Sequence, residues 1–325
     1  MPGEPLDSFD IGYVNSSGVY ALADRSNKAV DFFSAATGKF LGRATGFAGF
    51  NKADGADRAG PDGVVAVGNN EFYAGDADGV KVVDLRTRKV VASIPTGGQK
   101  RSDELTYDPR DQLVIAVNNA DDPPFVSFIS TRSRKVVGRL VLTHASDGAE
   151  QPVYDPHSGL VYLSIPTVDK VQANGAIAVI DPRTRALLKM LPVGKCMPAG
   201  LALGPDENLV VGCSDDGVAA GFPAHSLVMH APTGKILADV PVGGSDEVWS
   251  DMRAGQYYLA AVANRGGPTL GVIDSHTNRL VAALPTGLRA HSVAVDAATG
   301  KIFVPIQANG AGDCSRGCIA VFGSK

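Results

Sequence analysis

Acidic residues and a histidine recur at equivalent places along the chain, each directly before a short apolar run. The clearest are Glu104, Glu247 and His291. If the fold brings them together, they form a set that can take up and release protons, because carboxyl groups held close to one another and away from water have raised pKa values. Arg289 precedes His291 by two residues and could stabilise a developing oxyanion. We therefore predict these four as catalytic residues.

Further polar residues occupy the same aligned position or the same side of the predicted fold. Arg101 precedes Asp103 by two residues, as Arg289 precedes His291. We predict that the substrate is bound by the remaining residues of this kind, which are Arg101, Asp103, Glu150, Asp246, His144 and Asp62.

Two other interpretations of this acidic ring stay open. It could hold a divalent cation (calcium, magnesium or zinc), since hard cations prefer several oxygen ligands, so we expect either no cofactor or one such ion. Alternatively, acids at strand starts often accept hydrogen bonds from backbone amides or line a solvated rim. The sequence does not choose among catalysis, metal binding and structure.

The elements that position these residues follow from a repeat. A phrase of apolar strand, Asp-x-x-Thr-x-Lys/Arg turn and apolar strand recurs about 44 to 51 residues apart, which is typical of a solenoid or propeller. Examples are Val83-Asp84-Leu85-Arg86-Thr87-Arg88-Lys89 and Ile273-Asp274-Ser275-His276-Thr277-Asn278-Arg279. A second series of turns, such as Asp155-Pro156-His157-Ser158-Gly159, occurs seven times between them.

These two series predict an all-β, seven-bladed β-propeller of four-stranded antiparallel blades, with strands A to D in each, as one domain over residues 1–325. The seventh unit ends at its third strand, so residues 1–6 could supply the fourth. The B-to-C loops and D-to-A connectors leave one face of a propeller, and the candidate residues lie on that face. Trp249, which alternates with the aligned acids, is expected in the core.

Composition excludes some partners. The formal net charge is -4, and Lys/Arg clusters interleaved with aromatic residues are absent, which argues against nucleic acid. No apolar run approaches the roughly 20 residues that span a bilayer. We expect a monomer that binds a small-molecule substrate.

The four cysteines bear on the compartment. Cys314 and Cys318 share one predicted loop, and Cys196 and Cys213 flank one predicted strand, so two local disulfides are geometrically easy. Disulfides indicate an oxidising compartment, although four free buried thiols would look the same. The first residues do not resemble a signal peptide; we expect a periplasmic or secreted protein whose signal has been removed.

Parts of the chain resemble a known family. Residues 19–30, 161–165 and 272–279 resemble degenerate copies of the Tyr-Val-Thr-Asn repeat of seven-bladed propellers, a likeness that extends over 9–322. That family includes surface-layer and periplasmic binding proteins without catalysis, and its fold is shared by lactone hydrolases, muconate cycloisomerase-like enzymes and lyases. Residues 286–292 are similar to the Gly-x-x-Pro-Arg-His phrase of lactonase-type propellers, which implies site roles for Arg289 and His291. Here the proline is missing and Ala290 separates the two.

Two functions remain after these arguments. One is a small-molecule enzyme with its site in the central funnel, either a lactone- or ester-type hydrolase or a lyase, using a His/carboxylate acid-base set. The other is a non-catalytic binding or scaffold propeller of the cell envelope. The enzyme is favoured because an acidic ring in a funnel is costly without a ligand. Convergence of the candidate side chains in one cavity would support it, and their pairing in rim salt bridges would support the scaffold.

Overall fold

The computed structural model describes residues 1–323, in which the strands form seven antiparallel sheets, the blades of a propeller. Each of the first six blades has four strands, A to D in chain order. Blade 1 contains β1 (Gly12–Val14), β2 (Val19–Asp24), β3 (Ala29–Ser34) and β4 (Phe40–Thr45). Blade 2 contains β5 (Val64–Val67), β6 (Glu71–Asp76), β7 (Gly79–Asp84) and β8 (Lys89–Pro95). Blade 3 contains β9 (Leu105–Asp108), β10 (Leu113–Asn118), β11 (Phe125–Ser130) and β12 (Lys135–Val141).

The remaining blades follow the same order. Blade 4 contains β13 (Pro152–Tyr154), β14 (Val161–Ile165), β15 (Asn174–Asp181) and β16 (Ala186–Gly194). Blade 5 contains β17 (Pro198–Leu203), β18 (Asn208–Cys213), β19 (Ser226–His230) and β20 (Lys235–Val240). Blade 6 contains β21 (Ser245–Asp251), β22 (Gln256–Ala261), β23 (Thr269–Asp274) and β24 (Arg279–Pro285), and blade 7 contains β25 (Ala294–Asp296), β26 (Lys301–Ile306) and β27 (Cys318–Gly323). Within residues 1–323, helix is confined to α1 (Asp215–Ala219) and the 3₁₀ turns Ala56–Arg58, Pro205–Glu207 and Gly312–Cys314.

The recurring Asp-x-x-Thr phrase closes the C-to-D hairpins. In blade 2 one oxygen of Asp84 accepts hydrogen bonds from the backbone N–H and the hydroxyl of Thr87, both at 2.7 Å. Asp274 binds Thr277 in the same way in blade 6. The carboxylate accepts the hydrogen bonds of its own turn. The phrase can therefore recur in hairpins whose strand sequences differ.

Hydrophobic packing between neighbouring blades holds the ring together. Clusters of buried side chains join each blade to the next, as Ile115 and Phe128 of blade 3 meet Leu163 and Ile180 of blade 4. A cluster that contains Tyr20 and Phe303 joins blade 1 to blade 7. The ring therefore closes through side chains of the first and last blades.

The structure corrects one expectation about that closure. Over residues 1–323, blade 7 has three strands and residues 1–6 form none. Leu6 instead pairs its backbone with the B-to-C loop of blade 7, where its N–H lies 3.0 Å from the carbonyl oxygen of Arg316 and its carbonyl 3.0 Å from the N–H of Ala308. Pro2 and Pro5 have no N–H to donate to a strand ladder, so the segment anchors at Leu6 rather than along an edge.

Both expected disulfides are present. Cys196 is bonded to Cys213 in blade 5, and Cys314 to Cys318 in the B-to-C loop of blade 7. Among residues 1–323 there is no helix long and apolar enough to cross a membrane.

Candidate functional site

The central channel opens into a cavity at each end. On the face of the connectors and B-to-C loops lies a cavity of about 740 Å³, which we call the polar mouth. On the face of the A-to-B turns lies a cavity of about 580 Å³, which we call the aromatic mouth. Ile11 and Glu104 line both cavities and so mark the waist of the channel.

His291 is held firmly at the polar mouth. Its ring stacks on Phe9 with centroids 4.8 Å apart and an interplanar angle of 6°. Its Nδ1 lies 2.7 Å from the carbonyl oxygen of Arg289, and its Nε2 lies 3.3 Å from Oδ1 of Asp10. Burial alone would lower the pKa of His291, but the hydrogen bond to Asp10 and the charges of Asp246 and Asp10 outweigh it and raise that pKa. The imidazolium form of His291 therefore persists to a higher pH than that of a free histidine.

Asp246 lies beside this histidine. One ligand atom each from Asp10, Asp246 and His291 lie within 4.8 Å of one another. Burial raises the pKa of Asp246 to about 7, opposed by the charge of His291 and supported by neighbouring carboxylates. A carboxyl group that is half ionised at neutral pH can both accept and donate a proton.

Arginine side chains neutralise part of the acidic ring. Arg25 binds Oδ2 of Asp10 at 2.5 Å and Oδ1 of Asp62, through Nε, at 2.9 Å. Arg101 binds Asp103 at 2.7 Å. Burial would raise the pKa of Asp10, but the guanidinium of Arg25 and the neighbouring His291 hold it below its ordinary value. These two arginines are thus already paired with protein carboxylates.

Sequence reasoning missed Arg25 as a site residue. It follows the last residue of β2, and the residues after the B strands of blades 6 and 7, Val262 and Gln307, also line the polar mouth. In blade 3 the equivalent Asn119 donates to Asp103 at 2.5 Å. The position after each B strand was therefore a usable signal, because it leads into a loop on the connector face.

Three glutamates lie in or near the channel with little compensation. Burial raises the pKa of Glu104 and of Glu150 well above their ordinary values, and nearby carboxylates raise them further. Burial also raises the pKa of Glu247, although the Ser292 hydroxyl at 2.5 Å and the Val293 N–H at 3.0 Å donate to its Oε2 and oppose the shift. All three are favoured in the neutral form at pH values where an exposed glutamate is ionised.

The structure brings most, but not all, of the predicted residues together. The polar mouth is lined by His291, Arg289, Glu104, Arg101, Asp103, Glu150 and Asp246. Asp62 is fully buried beneath Arg25, and Glu247 lines the aromatic mouth instead. His144 was expected at the site, but its exposed ring pairs with Asp169 at 2.8 Å, away from either mouth. Asp169 lies in the B-to-C loop of blade 4, and its contact with His144 is outside both cavities.

Two groups of residues at the polar mouth have the ligand types of a metal site. One is Asp10, Asp246 and His291, and the other is Asp10, Asp62 and Asp103. In the second group Arg25 lies between Asp10 and Asp62 and supplies the positive charge that a cation would bring. In the first group, Asp10 is already shared between Arg25 and His291, so an ion would have to displace one of these partners.

The aromatic mouth has a different lining. Its part-exposed rings are Tyr13, Tyr107, Tyr154 and Trp249, and its polar side chains include Glu104, Glu247 and Gln151. The rings of Tyr13 and Trp249 meet edge to face, with centroids 5.1 Å apart at 69°. Trp249 was expected in the core, but it is only partly buried and contributes to the cavity wall.

Comparison with known proteins supports the propeller fold but does not indicate a function. No protein-family model matches the chain, and no curated protein matches it. A solved structure of Kuenenia stuttgartiensis hydrazine synthase contains a chain that is similar over 99% of this chain and 96% of its own length, with a TM-score of 0.76. The sequence identity is 15%. A likeness at that identity shows the propeller fold and does not transfer a function.

Proposed function

We propose that the protein is an enzyme that acts on a small molecule in the polar mouth, either by hydrolysing a lactone or ester or by elimination. The observation that carries this proposal is the group of Asp10, Asp246 and His291, gathered within 4.8 Å in a cavity of about 740 Å³. The similarity of residues 286–292 to the phrase of lactonase-type propellers supports the same choice.

The pKa shifts assign the roles. Asp246, whose pKa is raised to about 7, would act as the general base that takes a proton from water or from the carbon next to a carbonyl. His291, with its raised pKa, would act as the acid that donates its Nε2 proton to the leaving oxygen. Asp10 Oδ1 lies 3.3 Å from the same Nε2, so it would hold the imidazole before the reaction and the leaving oxygen would replace it as the partner of that proton. Groups whose environments push their pKa values in this way are the usual acid and base of an active site.

The charge of the site favours a neutral or cationic substrate core. Arg25 and Arg101 are bound by Asp10, Asp62 and Asp103, so neither is available to hold an anionic group. Arg289 is exposed at the rim and forms no ion pair within residues 1–323. A negative group on the substrate would have to lie near Arg289, outside the ring.

Export is part of the proposal. The two disulfides, Cys196–Cys213 and Cys314–Cys318, support a periplasmic or secreted protein, since such bonds persist in oxidising compartments.

One observation favours the second candidate, a non-catalytic binding propeller. The pairing of Arg25 with Asp10 and Asp62, and of Arg101 with Asp103, is the arrangement expected of a structural rim. A binding protein would use the same mouth to hold its ligand without proton transfer.

Activity on a panel of small lactones, aryl esters and β-hydroxy acids tests the proposal. We expect Asp246→Asn and His291→Gln to lower kcat by about 10²- to 10⁴-fold, the usual contribution of a general acid or base. His144→Gln is the matched control, because His144 also pairs with an aspartate but lies outside the mouth. If the folded wild-type protein turns over no compound of the panel, or if the two variants keep full activity, the enzyme is rejected and the binding protein stands.

A further inference from the structure

The aromatic mouth plays no part in the proposed chemistry, yet it is built like a binding site. Tyr13 and Trp249 form two walls at 69° to one another, and Tyr107 and Tyr154 add further rings. The cavity volume of about 580 Å³ is within the range of small-ligand pockets.

Two carboxyl groups lie at the inner end of this cavity. Glu104 is 5% exposed, and its carboxyl group has no hydrogen-bond partner among residues 1–323. Glu247 is 2% exposed, and its hydrogen bonds from Ser292 and Val293 use only Oε2. The described lining contains no Lys, Arg or His. Buried carboxyl groups without a cation are unusual, because an unpaired buried charge is costly.

We propose that the aromatic mouth binds a small organic cation with an apolar body, such as an alkyl- or arylammonium ion. Aromatic faces attract a cation through their quadrupole, and the attraction is strongest when water is excluded. The carboxylates of Glu104 and Glu247 supply the opposite charge, while Leu203 and Val153 bound the space for the apolar part. Glu104 also lines the polar mouth, but Tyr13, Trp249 and Glu247 line the aromatic mouth alone, so this inference does not rest on the proposed enzyme.

Proton release would accompany this binding. Burial raises the pKa of both glutamates, so they are largely neutral without a ligand, and a cation would favour their ionised form. The acidic groups acting on Glu104 are Glu247, Asp103, Asp246 and Glu150, and those acting on Glu247 are Asp246 and Asp10. Tyr13 stays neutral, because burial raises its pKa. Affinity for a permanently charged cation should therefore rise with pH.

The single tryptophan of the chain makes the test direct, since Trp249 is in the wall of the mouth. Benzyltrimethylammonium, phenethyl alcohol and phenylacetate would be titrated against the full chain while tryptophan fluorescence is followed. We expect saturable binding of the cation, at least about tenfold tighter than that of the neutral and anionic compounds, and an affinity that increases with pH.

Variants locate the site. Glu104→Gln should weaken cation binding about tenfold, and Tyr13→Leu, followed by calorimetry, should weaken it as well. Asp215→Asn is the control, because this exposed carboxylate lines the polar mouth, and it should leave the affinity unchanged. Equal affinity for the cation and the alcohol, no binding to the folded protein, or a loss of affinity in Asp215→Asn but not in Glu104→Gln would each overturn the proposal.

Discussion

The two mouths of the channel are built from opposite ends of the same A strands, and they differ in whether other side chains pair with their buried carboxyl groups. At the polar mouth, residues from B-to-C loops reach the carboxylates, as Arg25 reaches Asp10 and Asn119 reaches Asp103. At the aromatic mouth no basic side chain of the described lining reaches Glu104 or Glu247. The side chain that follows the B strand can pair a buried acid at the polar mouth, whereas the acids of the aromatic mouth are left to protonation or to a ligand.

The largest effect that would test this contrast is expected from Arg25→Met. The substitution leaves Asp10 and Asp62 buried without their cation, and breaking a buried ion pair in this way costs about 3–5 kcal/mol of unfolding free energy. Chemical denaturation at neutral pH measures it. Lys100→Met is the control, because Lys100 pairs with Asp57 at the surface and such pairs contribute about 0–1 kcal/mol.

A double variant sharpens this first prediction. Adding Asp10→Asn to Arg25→Met removes the carboxylate whose pKa Arg25 holds below its ordinary value, so part of the lost stability should return. If Arg25→Met costs no more than Lys100→Met, the loops do not stabilise the polar mouth by pairing its acids.

The next effect concerns Gln151, which lines the aromatic mouth and joins three blades through hydrogen bonds. Oε1 of Gln151 accepts from the backbone N–H groups of Leu201 at 2.6 Å and Val248 at 3.2 Å, which ties blade 4 to blades 5 and 6. Gln151→Leu leaves both donors without a partner, so we expect a loss of about 2–3 kcal/mol in unfolding free energy.

Gln307 provides the matching glutamine of the polar mouth. Its side chain makes one exposed hydrogen bond, to the carbonyl oxygen of Asp7 at 2.7 Å, so Gln307→Leu should cost less than about 1 kcal/mol. Equal losses of unfolding free energy in the two variants, measured by denaturation, would show that the hydrogen bonds of Gln151 to blades 5 and 6 contribute little to stability.

The sequence was sufficient for the repeat and for the alignment of the A strands, because turn residues such as Asp84 and Thr87 satisfy each other locally. It also placed His291 and Asp246 at one mouth. Arg25 was not predicted, since its role depends on a contact with Asp62 of the neighbouring blade. The path of residues 1–6 was equally unpredictable, because it depends on the loop that presents Arg316 and Ala308 to Leu6.

The last effect tests Asp246, an acid of the polar mouth that forms no ion pair with Arg25 or Arg101. Because the pKa of Asp246 is raised to about 7 in the folded protein from an ordinary 3.8, its neutral form stabilises the fold below the ordinary pKa. That contribution is lost as the pH rises through 7. Asp246→Asn is neutral at every pH, so it should be more stable than the wild type at pH 8 and equal to it near pH 4. Thermal melting across this range measures the difference, with the exposed Asp215→Asn as the control. A wild-type protein that is the more stable of the two at pH 8 would mean that a positive charge stabilises the ionised form of Asp246 there.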